Sequence, residues 1–250
     1  KVAYFLKQAA LNKTFFTKNL INSFIFKDIP ELKIDIPFKT RDYLEKNLII
    51  ANKYNDLNEA ENRYKRVQIN FKGKKIEARV RLKGLTNFHR LGEKKSLKLK
   101  TIETDSGLTP TVLGFSRFNL MDPKRRSNEK EWLFRKVAKD EGLLERRYDF
   151  IKVKINGDKP KIYSIEENFS KEFFENNKIK LSPIISIDSD KIRAATVYNN
   201  CCGHIWVNDF NFSPIQSGKK IFKDINFNSQ YSYAKNKLVD FMSGNIDAGE

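Results

Sequence analysis

The chain has 250 residues, of which 40% are hydrophobic and 20 are phenylalanine, enough for one large domain or two small ones with a real core. Its 48 lysine and arginine residues outnumber its 31 aspartate and glutamate residues, so the formal net charge is +17 at pH 7. This charge favours partners such as nucleotides, nucleic acid, anionic glycans or lipid headgroups. No run approaches the roughly 20 apolar residues that span a bilayer, so we expect no membrane span in this chain.

The two cysteines and the first residue give weaker indications. Cys201 and Cys202 are adjacent, which suits neither a zinc site nor an ordinary disulfide, so we interpret them as structural thiols and predict no metal site. The chain begins with Lys1 rather than Met, and we expect it to be a processed or trimmed product whose targeting signal has been removed.

The first part of the chain is predicted to hold helices and one extended segment. Residues 1–30 mix apolar residues with Lys and Asn, a composition that favours one or two short helices. Residues 32–36 lie between two prolines and alternate apolar with charged side chains, so we predict that they are extended. Thr40 is then expected to cap a helix that runs to about Tyr54. The inward face of this helix would hold Leu44, Leu48 and Ile49.

Alternating apolar residues predict a β-hairpin over residues 67–82, with its turn at Lys72, Gly73 and Lys74. A third strand is predicted at 96–101 and a short fourth strand from Phe118 to Met121.

A helix and a second hairpin follow. Asn128 lies three residues before Glu131, a spacing that is typical of a helix N-cap, and the helix is expected to end at Gly142. Asn156 and Gly157 form a favoured hairpin turn between strands at 151–155 and 162–166. The core-facing side of the helix would hold Leu133, Phe134, Val137 and Ala138.

Residues 169–176 are predicted to form a short helix, and the last third is less regular. A strand is possible at 184–187, residues 196–217 show no clear period, and a helix is expected from Tyr231 to Met242. We therefore divide the chain into a helical and extended lead-in (1–64), an α+β region (65–176) and the incomplete start of a second lobe (177–250).

The predicted fold class is α+β. An antiparallel sheet would form from 65–83, 95–101 and 147–167, with the 128–142 helix packed on it and helices before it. The order of these elements is that of a protein-kinase small lobe, although many α+β domains share it.

The segment from Arg79 to Lys100 is the best candidate for a site. Two alternating strands flank a cationic loop in which Gly84 and Gly92 permit unusual backbone conformations, so Thr86, Asn87, His89 and Arg90 can surround an anion. The alternative is a solvated edge hairpin, whose lysines prevent pairing with another sheet.

Several short stretches, taken together, resemble the CotH kinase family of atypical kinase-like proteins. Their order and spacing over residues 65 to 175 carry the resemblance. They are Arg81-Leu-Lys-Gly84, Lys94-Lys-Ser-Leu97, Leu113-Gly-Phe115, Phe118-Asn-Leu120, Trp132-Leu-Phe-Arg135, Glu141-Gly142, Val153-Lys-Ile-Asn-Gly157 and Tyr163-Ser-Ile-Glu-Glu167.

This resemblance implies that the chain binds ATP with Mg or Mn and belongs to a kinase of the cell envelope or a secreted kinase that modifies a protein acceptor. Lys94 would then stand at the family's phosphate-binding position, Arg135 at its helix arginine and Glu167 at the acid that closes the second hairpin. We also expect Arg81 and the 84–94 loop to lie near the nucleotide. The alternative is that these charged residues form ordinary surface ion pairs.

The catalytic residues are unknown from this sequence. Because residues 177–250 are too few for a kinase large lobe, we expect the metal-binding and catalytic acids to lie beyond Glu250 and this chain to be inactive alone. The alternative function is a non-catalytic basic module that binds an anionic envelope polymer or nucleic acid. Nucleic acid is disfavoured because Phe88 is the one aromatic residue in the central loop.

Overall fold

The computed structural model describes residues 29–54, 57, 62–84, 92–188, 211–214 and 225–247. The helices predicted in residues 1–30 therefore lie outside the described residues, apart from positions 29 and 30. The chain divides into two units, Lys1–Asn168 and Phe169–Glu250. Among the described residues, the first unit contains a closed β-barrel, and the second contains a two-stranded sheet and two helices.

Seven strands form the barrel in the order β1-β2-β3-β4-β5-β7-β6. Neighbouring strands run antiparallel, except that β6 is parallel to β1 where the barrel closes. The strands are β1 (Glu31–Asp35), β2 (Lys65–Phe71), β3 (Lys74–Leu82), β4 (Leu97–Thr101), β5 (Arg117–Met121), β6 (Tyr148–Ile155) and β7 (Lys161–Glu167).

The remaining elements are short or lie outside the barrel wall. In the first unit they are α1 (Phe38–Tyr54), a 3₁₀ helix (Pro123–Arg126) and α2 (Glu129–Asp140). In the second unit they are α3 (Lys171–Asn176), the antiparallel pair β8 (Ile185–Asp188) and β9 (Asn211–Pro214), and α4 (Ile225–Met242).

The barrel closes where β1 pairs with β6. Leu32 lies opposite Val153 and Ile34 lies opposite Ile155, and both β1 side chains are completely buried. Beyond the strand, the side-chain oxygen of Asn156 accepts a hydrogen bond from the Ile36 amide at 2.6 Å, and its amide group donates to the Ile36 carbonyl at 3.1 Å. These contacts satisfy the backbone at the end of the seam, where a sheet edge would otherwise lie open.

The barrel interior is filled by apolar side chains because alternate residues of each strand point inward. One rung of four strands consists of Leu82, Leu97, Leu120 and Ile165, all of which are buried. Helix α1 adds its own buried residues to this core. Every second strand position therefore faces outward, and the charged residues of β3, β4 and β5 are placed on the outer surface.

The predicted α+β fold resembling a kinase small lobe is wrong, because the structure has a closed, mixed barrel of seven strands with few helices. The prediction treated residues 32–36 as a lead-in to an open antiparallel sheet. Instead, β1 bonds to β2 on one side and to β6 on the other, which converts the sheet into a barrel.

Most individual strand predictions are confirmed. Both hairpins, the third strand and the strand from Phe118 are present, and Val80, Leu99 and Val153 lie in one sheet as expected. The predictions for α1, α2 and α3 are confirmed within a few residues. Helix α4 is also present, but it begins at Ile225 rather than at the predicted Tyr231.

The predicted caps and helix faces are partly wrong. Asn128 makes no side-chain cap, and Thr40 lies inside α1, where its hydroxyl donates to the Arg66 carbonyl at 3.2 Å. The side of α2 that faces the sheet carries Trp132 and Arg135 as well as the buried Ala138. The residues that are exposed against expectation are Ile49, Leu133, Phe134 and Val137.

None of the helices in the described residues is both long enough and apolar enough to cross a bilayer.

We expect Ile34→Ala to destabilise the barrel by about 2–5 kcal/mol, because it removes a fully buried side chain from the closing strand. The matched control is Lys33→Ala on the same strand, whose ammonium lies 3.9 Å from Glu31 at the surface. The control should change the free energy of unfolding by less than about 1 kcal/mol. Urea unfolding followed by circular dichroism measures both, and equal effects would contradict the closing role of β1.

Candidate functional site

The outer surface of β5, β7 and β6 carries a buried carboxylate, that of Glu166. The β7 residues Tyr163 and Ile165 point into the barrel, so Glu166 points out of it. It lies opposite Asn119 of β5 on one side and Tyr148 of β6 on the other. With 1% of its surface exposed, it is one of the largest fully buried side chains of the protein.

Four groups from different parts of the chain surround the Glu166 carboxylate. Arg146 and Arg135 approach one oxygen at 2.7 and 3.1 Å. Asn119 donates to the other oxygen at 3.0 Å, and the Lys83 ammonium lies 4.0 Å from it. Burial opposes ionisation of Glu166, but these charges and the Asn119 hydrogen bond outweigh it and hold the pKa of this carboxyl below its usual value.

Arg135 fastens α2 onto this carboxylate. Its guanidinium donates to Glu131 at 2.7 Å and to Glu145 at 3.1 Å, in addition to its bond with Glu166. A further bond at 3.2 Å reaches the Arg146 carbonyl. Three carboxylates therefore hold Arg135, which makes it a structural anchor of the site rather than a cation directed at solvent.

Lys83 is a cation of this cluster whose pKa is strongly shifted by its surroundings. Burial lowers the pKa of Lys83 to about 8, with Arg126 and Arg146 acting in the same direction and Glu166 opposing them. Its ammonium also lies 3.2 Å from the Met121 sulfur, a poor substitute for water. The pKa of Lys83 in the folded protein is therefore well below its ordinary value of 10.5.

A second ion pair positions the 3₁₀ helix. The Lys94 ammonium lies 2.9 Å from the Asp122 carboxylate and donates to the Ile162 carbonyl at 3.1 Å. Asp122 in turn caps the 3₁₀ helix by accepting a hydrogen bond from the Lys124 amide at 3.3 Å. The ion pair therefore links the end of the cationic loop to the start of the basic 3₁₀ helix.

Gly92, at the end of the cationic loop, also lies close to Arg125 of the 3₁₀ helix. A Cβ atom added to Gly92 would lie 3.2 Å from a terminal nitrogen of Arg125, and Gly92 has φ of +90°. Both the space and the backbone conformation favour glycine here.

The 3₁₀ helix and the start of α2 form an open cleft of about 380 Å³. Its aromatic wall is Phe134, which is 64% exposed. Glu131 is the one acid in the lining, and its carboxylate lies 3.8 Å from Arg126. The cleft is therefore strongly cationic, with one aromatic ring at its wall. The lining residues are Arg125, Arg126, Ser127, Lys130, Glu131 and Phe134.

Glu167 belongs to a different pair. It is as buried as Glu166, and it accepts hydrogen bonds from the Arg147 guanidinium at 2.7 Å and from the Arg147 amide at 3.2 Å. The same guanidinium donates to the Gly114 carbonyl at 3.0 Å and lies over the Phe115 ring. This pair closes one end of the β5–β7 region and involves none of the residues that line the cleft.

The structure places the four predicted nucleotide-binding residues in separate environments. Lys94 contacts Asp122, Arg135 is held by three carboxylates and Glu167 pairs with Arg147. Arg81 lies over the Tyr64 ring at 5.0 Å on the outer face of β3. The predicted loop residues Thr86, Asn87, His89 and Arg90 lie outside the described residues. The binding roles of all of these residues stay predictions.

Sequence reasoning missed several residues that define this region. Glu166 was passed over for Glu167, although the alternation of β7 indicates that the two carboxylates point in opposite directions. The cleft residues Arg126 and Phe134 carried no motif, and Phe134 was assigned to the core. An exposed aromatic residue beside a basic segment was the available signal.

A comparison of the chain with models of known protein families finds no match, and neither does a comparison with curated protein sequences. The similarity to the CotH kinase family therefore stays a prediction from short stretches of sequence.

We expect Glu166→Gln to destabilise the protein by about 3–5 kcal/mol at neutral pH, because it leaves buried cations without their counter-charge. The matched control is Glu93→Gln, since Glu93 is an exposed acid that pairs with Lys161 at 3.1 Å. The control should cost less than about 1 kcal/mol. Chemical unfolding measures both, and a small loss for Glu166→Gln would show that the cluster is not a stabilising centre.

The pH dependence of stability provides a second test of Glu166. Its folded pKa is below the ordinary value of 4.5, so the unfolded chain binds more protons near that pH. The contribution is present above pH 4.5 and is lost as the pH falls through the folded pKa. The wild-type protein should therefore lose more stability on acidification than Glu166→Gln does, as measured by unfolding across this pH range.

Lys83 should titrate near pH 8 in the folded protein. Competitive acetylation read by mass spectrometry measures this pKa as the pH at which Lys83 becomes reactive. In Glu166→Gln the pKa should fall further, because the opposing charge is gone. An unchanged pKa in that variant would contradict the described contact.

Proposed function

We propose that this chain binds a nucleoside triphosphate, with ATP as the expected ligand, in the cleft between the 3₁₀ helix and α2. It would be the nucleotide-binding part of a phosphotransferase that resembles the CotH kinase family and modifies a protein acceptor of the envelope or outside the cell. The observation that carries this proposal is the combination of an exposed Phe134 ring with Arg125, Arg126 and Lys130 in one cleft.

Each side of this cleft matches one part of a nucleotide. An exposed aromatic face stacks on a base, and such stacking is worth about 1–3 kcal/mol in nucleic-acid complexes. The planar guanidinium groups of Arg125 and Arg126 suit bidentate contacts with phosphate oxygens, and Lys130 supplies a mobile point charge. The cleft volume of about 380 Å³ lies within the range of ordinary ligand sites.

Lys94 would support this site as a positioning residue. Its ion pair with Asp122 holds the carboxylate that caps the 3₁₀ helix, and that helix carries Arg125 and Arg126. Loss of Lys94 would therefore shift the two arginines as well as remove a nearby positive charge. This role agrees with the resemblance, which places a nucleotide-phosphate lysine at this position.

The resemblance also implies Mg or Mn with the nucleotide. Within the described parts of the chain, no group of three or more His, Cys, Asp or Glu side chains is arranged to hold a metal ion. The proposal therefore concerns nucleotide binding by cations and an aromatic ring, and it assigns no step of the transfer to residues of this chain.

Arg126→Ala and Phe134→Ala should each weaken ATP binding by about 1.5–3 kcal/mol, roughly tenfold to a hundredfold, because one loses a charged hydrogen bond and the other loses a stacking surface. The matched control is Lys139→Ala, which removes an exposed cation from the last turn of the same helix. Isothermal titration calorimetry with ATP, with and without Mg²⁺, measures the affinities. Equal weakening by all three variants would indicate nonspecific attraction to the charged surface and contradict the proposal.

Lys94→Ala should weaken ATP binding by a similar amount, about 1.5–3 kcal/mol. Asp122→Asn keeps the hydrogen-bonding shape of the cap and removes the same ion pair, so it should also weaken ATP binding if Lys94 acts through Asp122. An unchanged affinity for Lys94→Ala would remove Lys94 from the site, while the results for Arg126 and Phe134 would still test the cleft itself.

A further inference from the structure

The outer surface of β2, β3, β4 and β5 aligns four cations across four neighbouring strands. Arg66 lies opposite Arg79, Arg79 lies opposite Lys100, and Lys100 lies opposite Arg117. We call these four residues the cationic row. On the adjacent rung of the same surface, Arg81 lies opposite Lys98. Neighbouring strands are about 4.8 Å apart, so the backbone positions of the row extend over roughly 14 Å.

This arrangement is unfavourable for the folded protein. Like charges that lie directly opposite one another on a sheet destabilise it. Burial lowers the pKa of Lys100, and the charges of Arg79, Arg117 and Arg81 lower it further. Among the residues whose positions are described, no acid forms an ion pair with a member of the row. The outer side of β3 does carry one acid, Glu77, which lies opposite the uncharged Gln68.

Protection of a sheet edge does not explain the row. Lysines often lie on edge strands because they discourage pairing with another sheet. Here β3 pairs with β2 and β4, and β4 pairs with β3 and β5, so neither strand has an open edge. A different reason is needed for repeated cations on strands inside the barrel wall, and binding of a matching anion is the simplest one.

We propose that the cationic row binds a linear phosphate polymer that lacks bases and runs across the strands. Three of its four members are arginine, whose planar fork suits bidentate contact with phosphate oxygens. The members repeat at the strand spacing around the curved barrel wall, so they match a flexible chain with closely repeated charges better than a single small anion. The row lies on β2–β5, whereas the nucleotide cleft is formed by the 3₁₀ helix and α2.

The aromatic residues of this surface distinguish between two candidate ligands, a phosphate polymer and single-stranded nucleic acid. Stacking of successive bases needs several free aromatic faces along a groove. Within the described parts of the chain, Tyr64 is the aromatic residue that contacts these cations, and its ring already lies beneath Arg81 at 5.0 Å and Lys100 at 4.5 Å. Contact with a charged backbone is therefore favoured over stacking with bases.

The test uses the full chain, long-chain inorganic polyphosphate and the double variant Arg79→Gln/Lys100→Gln. The matched control is Lys152→Gln/Lys154→Gln, which removes the same charge from β6 elsewhere on the barrel wall. Fluorescence anisotropy over a series of salt concentrations measures affinity and its salt dependence. We expect the row variant to bind about tenfold or more weakly, with the logarithmic salt slope reduced by about two, and the control to bind almost as wild type.

Folding and specificity are checked in the same experiment. The row variant should melt at a higher temperature than wild type because it relieves repulsion, so lost binding would not reflect misfolding. Equal losses for both double variants would overturn the proposal, as would tighter binding of an oligothymidylate of equal charge. The row variant should retain ATP affinity and Phe134→Ala should retain polyphosphate affinity, so failure of one proposal is distinguishable from failure of the other.

Discussion

The buried carboxylate of Glu166 is the interaction on which the outer surface of the barrel depends. It brings together β3 through Lys83, β5 through Asn119, α2 through Arg135 and the segment before β6 through Arg146. This one buried carboxylate therefore contacts three cations and one side-chain amide, which come from four separate parts of the chain. Without it, Lys83 and Arg146 would lose the carboxylate that they contact, and Arg135 would keep its pairs with Glu131 and Glu145 alone.

The closed barrel explains why the charged residues gather where they do. Its interior is filled with apolar side chains, so each strand can present charged residues only on its outer side or at its ends. The outer surface then divides into two regions. Over β5, β7 and β6 it is covered by helices and contains acids that balance the cations, whereas on β2–β5 the cationic row has no such balance among the described residues.

Much of the strand content was predictable, because the inward residues of β2, β3, β6 and β7 alternate with a period of two and good turn residues separate them. The closure of the barrel was not predictable from the sequence. The partner of β1 is β6, and no local pattern in residues 32–36 specifies a partner so distant in sequence. The outward face of α2 was also misjudged. Leu133, Phe134 and Val137 look like core residues, but ion pairs of Arg135 determine which side of the helix meets the sheet.

The candidate site shows the same limit. The family resemblance predicted Lys94 and Arg135 as nucleotide-binding residues, and the structure places both in ion pairs with carboxylates. It did not identify their partners, because a buried ion pair joins residues that have no fixed spacing. Asp122 and Glu166 become recognisable as the partners of these cations only in the folded barrel, where the end of β5 lies beside β7.

The seam between β1 and β6 has a consequence for how the chain reaches its native state. The hydrogen bond from Ile36 to Asn156 joins residues 120 positions apart, and the pairs between β1 and β6, such as Leu32 with Val153, span a similar length of chain. Topologies dominated by such long-range contacts fold slowly, since the entropy of closing a long loop is lost before any contact forms. Until Asn156 has left the ribosome, β1 has no parallel partner. The nascent barrel therefore exposes an open strand, and the speed of ring closure governs how long that strand is available to other chains.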